Sequence, residues 1–122
     1  MNERSGTETA KTGNGERLQA RIGVPPEALA AFCERWQVAE LALFGSVLRE
    51  DFGPNSDIDF LIGFEIGQSP GLFGIVEMED ELAELSGRRV DLVSRRAVEN
   101  SRNYIRRKAI LDSAQVVYAA RR

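Results

Sequence analysis

Residues 43–64 read LFGSVLREDFGPNSDIDFLIGF: two apolar runs, each long enough to cross a sheet, with turn residues between them. Gly45-Ser46 closes the first run, and Gly53-Pro54-Asn55 breaks the chain again before the second, as turn-forming residues do. The second run opens with Asp57 and Asp59. Strand alternation puts these two carboxylates on one face, about 7 Å apart at their Cα atoms. A Gly-Ser turn can hold a phosphate through backbone N–H groups and a hydroxyl, and paired carboxylates suit divalent cations. A phosphate cradle beside a cation site is the equipment needed to move a phosphoryl or nucleotidyl group.

What the sequence lacks narrows the chemistry further. It contains no histidine, which removes a Ser-His triad, His-ligated zinc and an imidazole general base. Carboxylates, arginines, hydroxyls and bound metals are left to do any catalysis. Cys33 is the only cysteine, so no intrachain disulfide can form and a reducing cytoplasm is the expected location. No apolar run approaches the roughly 18 residues that span a bilayer, and MNERSGTETAKTGNGER has no apolar core of a secretory signal. A chain of 122 residues is expected to build one core, leaving no separate domain to present a second substrate.

Charge is segregated along the chain. From Glu50 to Gly87 there are ten acidic residues and no basic one; from Arg88 onward ten basic residues face Asp91, Glu99 and Asp112. Two solvated helix faces of opposite sign account for this most simply, and a docking surface for a charged partner is the functional alternative. The net charge of −3, with no aromatics interleaved among the arginines, argues against direct nucleic-acid binding.

Periodicity gives a coarse map. Residues 1–22 are polar and aperiodic, which predicts a disordered tail ahead of a domain at 23–122. Pro26 at a first helical position, with Leu29, Phe32, Cys33 and Trp36 at helical spacing, predicts a helix to about Gln37. Val38–Phe44 reads as a buried strand, Val47–Asp51 as a short helix and Asp57–Phe64 as a second strand. Ser69-Pro70 is a candidate cap for a helix over 70–86, with Ile75, Met78, Leu82 and Leu85 inward and Gly87 as its stop. Residues 89–94 read as a third strand and 98–111 as a helix, with Tyr104, Ile105, Ala109 and Ile110 as inward candidates. Gln115–Ala119 closes the chain as a fourth strand. Helices alternating with strands in this way predict an α/β (α+β) fold, a small sheet covered by helices.

Asp91, on the third strand, is the candidate third carboxylate; a neighbouring strand would bring it about 5 Å from the second. Three clustered acids raise one another's pKa, and a divalent ion relieves that cost. Two ions about 3.5–4 Å apart would activate an attacking hydroxyl and hold the nucleotide phosphates. Asp91 is then the candidate base for the hydroxyl proton, Gly45 and Ser46 the phosphate cradle, and Arg49 a clamp on a phosphate oxygen. Taken singly, each part has an ordinary explanation: a helix-capping turn, an edge-strand acid pair, a surface carboxylate, an arginine paired with a neighbour. Their combination is what points to catalysis.

GSVLREDFGPNSDIDFLIGFE resembles the signature of the minimal nucleotidyltransferases, or MNT proteins, of the polymerase β nucleotidyltransferase superfamily. Gly45, Ser46, Asp57 and Asp59 match its Gly-Ser, ten residues, Asp-X-Asp pattern without a gap, RRVDLVS places Asp91 at the third carboxylate, and SRNYIRRKAILDSAQVVYAA is similar to the C-terminal helix and tail. The resemblance implies a mixed sheet of the polymerase β-like nucleotidyltransferase fold, two Mg²⁺ ions bound by Asp57, Asp59 and Asp91, and ATP as nucleotide donor. It further implies an antitoxin that transfers AMP to a tyrosine of a HEPN-domain toxin, the two proteins forming a hetero-oligomer. Neutralisation by binding alone, or nucleotidyl transfer to a small molecule, are the alternatives.

Overall fold

The computed structural model describes residues 17–18 and 20–120, and a four-stranded sheet organises them. The strands are β1 (Val38–Phe44), β2 (Ile58–Phe64), β3 (Val90–Ser94) and β4 (Gln115–Ala119), in spatial order β3-β2-β1-β4. β1 pairs antiparallel with both β2 and β4, whereas β2 and β3 run parallel. The sheet is therefore mixed. The parallel pair needs a crossover, supplied by α2 (Gly71–Ser86), while a short 3₁₀ turn (Gly45–Leu48) and an irregular loop suffice between β1 and β2. Helix α1 (Pro26–Arg35) precedes the sheet, and α3 (Arg95–Glu99) and α4 (Tyr104–Ser113) lie between β3 and β4.

Strand alternation sorts the side chains into two layers. Leu41 and Leu43 of β1, Ile58, Phe60 and Ile62 of β2 and Leu92 of β3 point to one face, where Leu29, Phe32 and Cys33 of α1 and Met78 and Leu82 of α2 complete the main core. A register shift between Val38 and Glu40 brings Val38 into the same core despite its parity. The other face is more thinly covered. Ala42, Phe44 and Leu61 meet Val98 of α3 and Ile110 of α4 there, with Val93 packed alongside. On this face Leu61 is buried, while Asp59, two residues earlier on β2, is only half-buried.

Several local expectations need revision. Residues 1–16 of the polar tail lie outside the described residues, but its last turn is helical, with Leu18 and Ile22 buried in the main core. Their spacing of four places both on one helix face, a signal too short to stand out beside Gly, Ser and Thr. The helix expected over 98–111 is two helices. Ser94 Oγ accepts the N–H of Ala97 and Asn103 Oδ1 that of Arg106, so each has its own N-cap. Of its four inward candidates Ile110 is buried, while Tyr104 and Ile105 are 60% and 79% exposed. Ser69 does not cap α2; Pro70 occupies that position with no side-chain bond. The chain after β1 forms a 3₁₀ turn rather than the short helix expected over 47–51.

Other features match the spacing closely. β1 and β4 have the bounds expected, and α2 ends on Gly87 with φ of 73°, a left-handed stop that favours glycine. The exposed edge of β3 is protected by a carboxylate: Glu79 of α2 accepts the N–H of Leu92 at 2.8 Å. Trp36, at the end of α1, donates its indole N–H to Glu81 at 3.0 Å, and Arg35 pairs with the same carboxylate. That pairing holds Glu81 below the usual carboxylate range, through the Arg35 hydrogen bond first.

Candidate active site

Hydrogen-bond register assembles the site. Asp59 is the Cα partner of Phe44 on one side and of Asp91 on the other. The residue that follows Phe44 is Gly45, so three chain segments converge around one carboxylate. Asp59 and Asp91 share the strand parity of Leu61 and Val93, and so rise from the thinly covered face. Asp57 lies just before β2, exposed, two residues from Asp59.

Gly45 is required here for two separate reasons. Its φ of 80° lies in the left-handed region, and a Cβ built on it would stand 2.5 Å from Asp59 Oδ2. Any other residue would press on the carboxylate itself. Ser46 faces the same junction: its hydroxyl donates to the carbonyl of Asp57 at 3.2 Å, tying the 3₁₀ turn to the entry of β2. Arg49, which ends that turn, is held by Asp51 at 3.2 Å.

The loop leading to Asp57 is fixed by residues that carried no functional signal in the sequence. Phe52 lies between two guanidinium groups, with Arg88 4.2 Å and Arg21 5.2 Å from its ring centre. Arg88 also donates to the carbonyls of Gly53 and Ser56, at 2.5 and 3.2 Å. Arg88 lies two residues before β3, so one side chain ties the approach to Asp57 to the strand that bears Asp91.

Opposing influences act on Asp59. Burial pushes the carboxyl of Asp59 above its ordinary range, and the charges of Asp91 and then Asp57 raise it further; Arg106 and Arg49 pull it down. Among the described residues no side chain forms an ion pair with Asp57, Asp59 or Asp91. Carboxylates on one face without a cationic partner are a donor set that fits a hard divalent cation. They do not form a finished cage. Among the described residues no three acidic, cysteine or histidine side chains stand close enough to hold a metal as they are arranged. The fold brings Gly45, Ser46, Asp57, Asp59 and Asp91 to one end of the sheet, while Arg49 nearby is engaged by Asp51.

With this geometry in hand the comparisons are informative. A family model for the nucleotidyltransferase domain matches residues 26–117. The chain belongs to the nucleotidyltransferase domain family. It is 39% identical over 67 residues to the protein adenylyltransferase MntA of Thermococcus cleftensis, a stretch covering 55% of this chain and 66% of that one. The chain thus spans just under two thirds of that relative's length. The solved structure of a minimal nucleotidyltransferase superposes with a TM-score of 0.58 at 33% identity, over 82% of this chain and 92% of the other. A toxin–antitoxin crystallised with AMP-PNP superposes with a TM-score of 0.61 over 80% of this chain and 76% of that one, at 16% identity, a likeness of fold. The nucleotidyltransferase fold expected from the Gly-Ser and Asp-X-Asp pattern is the one observed, mixed sheet included.

Proposed function

We propose that this nucleotidyltransferase-domain protein is an antitoxin that transfers AMP from ATP to a hydroxyl, that of a tyrosine, on a HEPN-type toxin and thereby silences it. One observation carries the reading: Asp59 and Asp91 stand opposite each other on adjacent parallel strands, unpaired, beside a left-handed Gly45 whose missing side chain clears the Asp59 carboxylate. The relatives support it, since one is named a protein adenylyltransferase and a toxin–antitoxin of the same fold was crystallised with AMP-PNP.

In this reading Asp57, Asp59 and Asp91 hold Mg²⁺, which when bound neutralises the acids and polarises the phosphate oxygens. The Gly45-Ser46 backbone accommodates the nucleotide phosphates, with Ser46 exchanging its bond to the Asp57 carbonyl for one to a phosphate oxygen. Arg49 leaves Asp51 for the same anion. The acceptor hydroxyl attacks the α-phosphorus, forming a new P–O bond while the bond to the β-phosphate bridging oxygen breaks and pyrophosphate departs. Asp91 takes the hydroxyl proton, no imidazole being present in the chain. Asp59 and Asp57 keep the α-phosphate aligned for in-line attack.

The test is to incubate the chain with ATP, Mg²⁺ and the purified toxin, and to weigh the toxin by intact-mass spectrometry. A nucleotide-sized gain on a tyrosine, abolished by Asp57→Ala with Asp59→Ala, supports transfer. The alternative reading is neutralisation by contact alone. That reading requires the double variant to inhibit the toxin fully with no mass gain.

A further inference from the structure

Two surface patches of opposite sign face away from each other across the sheet. On the outer side of α2, Leu72, Phe73 and Val76 are 78%, 87% and 48% exposed, and their spacing of three and four residues makes them neighbours on one helix face. At the same spacing the strip continues through Glu77, Asp80 and Glu84, all exposed. Two other acids of this helix are engaged: Glu79 accepts the N–H of Leu92, and Glu81 pairs with Arg35. Among the described residues Glu77, Asp80 and Glu84 form no ion pair. No basic residue lies between Glu50 and Gly87 to offer them one along the chain. Like charges three and four residues apart repel, and acids toward the end of a helix oppose its dipole. A cationic surface laid on the strip relieves both.

The second patch is basic. Residues 102–108 read RNYIRRK, four cations and no acid. Tyr104 and Ile105 stand exposed at the start of α4, with Arg102, Arg106 and Lys108 exposed around them. Lys108 pairs with Asp112, a surface contact between residues four apart that exchanges at little cost. The sheet separates the two patches. α2 turns Met78 and Leu82 into the main core, and α4 turns Ile110 into the smaller core on the other face, so their outer sides meet solvent in opposite directions. Exposed apolar clusters rimmed by polar residues mark contact surfaces, and one chain carries both halves of a match: apolar with acid, and apolar with base.

We propose that a second copy of this chain docks its α4 patch on the α2 strip. Tyr104 and Ile105 meet Leu72, Phe73 and Val76, while the α4 cations neutralise Glu77, Asp80 and Glu84. The contact joins two different surfaces on opposite faces of the molecule, so association runs head to tail, into a ring or a stack, and does not stop at a two-fold dimer. Being electrostatic in part, it weakens with salt. It is independent of nucleotide transfer.

Sedimentation velocity of the full chain at rising concentrations, in low and high salt, tests this. Wild type is expected to associate, with affinity about tenfold weaker in high salt. Phe73→Ser with Val76→Ser should weaken association about tenfold or more at either salt. Asp80→Lys with Glu84→Lys, and Arg102→Glu with Lys108→Glu, each give both patches one sign and should sediment as monomers. An equimolar mixture of these two charge-reversed proteins should associate like wild type, because every contact in it again joins opposite charges; recovery on mixing also shows that both fold. A wild type that stays monomeric throughout overturns the proposal, as does a mixture that fails to associate. So does a monomeric wild type that binds the purified toxin and loses it in Phe73→Ser with Val76→Ser, which assigns the strip to a different protein.

Discussion

Gly45→Ala should damage both stability and catalysis, through two contributions that can be separated. The left-handed backbone, φ of 80°, costs a non-glycine residue about 1–2 kcal/mol. The new methyl would stand 2.5 Å from Asp59 Oδ2 but 3.4 Å from its Cγ and 3.6 Å from its Cβ. Only the carboxylate oxygen is in serious conflict, and it must retreat by about 1 Å, pushing the side chain off its rotamer for about 0.5–1.5 kcal/mol. The sum is about 1.5–3.5 kcal/mol, or a fall in Tm of about 5–15 °C for a domain of this size. Removing Asp59 removes the second contribution alone. Gly45→Ala made in an Asp59→Ala background should therefore cost about 1–2 kcal/mol, leaving a coupling of about 0.5–1.5 kcal/mol in a double-mutant cycle. Urea denaturation of the four proteins in EDTA measures it. A displacement of about 1 Å at a reacting group should also slow transfer about 10²-fold in the single variant. Equal costs in the two backgrounds would refute the idea that Gly45 is there to clear the carboxylate.

Other consequences follow from the same contacts. Asp59 carries a pKa raised by burial and by Asp91 and Asp57, so its contribution favours the folded state below its unfolded pKa and is lost as pH rises through the folded value. Metal-free protein should accordingly lose stability across that interval, and Mg²⁺ should raise Tm above it by an amount that vanishes in Asp57→Ala with Asp59→Ala; an identical Mg²⁺ shift in the double variant, followed by scanning fluorimetry, contradicts the site. Arg88→Ala removes two carbonyl hydrogen bonds and the stacking on Phe52, for about 1–3 kcal/mol, and chemical denaturation together with Phe52→Ala should show the two losses to be less than additive. Cys33 is fully buried, with its thiol pushed up to about 12 by burial first and Glu34 second; alkylation by iodoacetamide should be negligible in the native protein and appear only with unfolding. Leu82→Ala, at a fully buried position of α2, should cost about 2–5 kcal/mol in the same denaturation assay.

The strands and their inward residues were legible because two-residue alternation in Ile58, Phe60 and Ile62 is a local property, and so is the left-handed stop at Gly87. Helix boundaries after β3 were less so. Arg102 to Leu111 holds Tyr104, Ile105, Ile110 and Leu111 at mixed spacings, and which of them turns inward depends on the sheet beneath. Only Ile110 is fully covered, by Ala42, Phe44 and Leu61, residues about 50 and 70 positions earlier. Leu18 and Ile22 were hidden for a similar reason: two apolar residues in a polar stretch become core only when α1, α2 and the sheet provide a surface for them.

Residue types and their intervals by themselves pointed to phosphoryl or nucleotidyl transfer: a glycine that tolerates the turn, a hydroxyl beside it, and paired acids after ten intervening residues, in a chain without histidine. Those are statements about what side chains can do, and they hold before any folding. Tertiary structure decided which charges meet. Hydrogen-bond register set Asp59 against Asp91, and Asp51 took up Arg49. Interactions between charges depend on distance through space, and distances between residues far apart in sequence exist only once the sheet has formed.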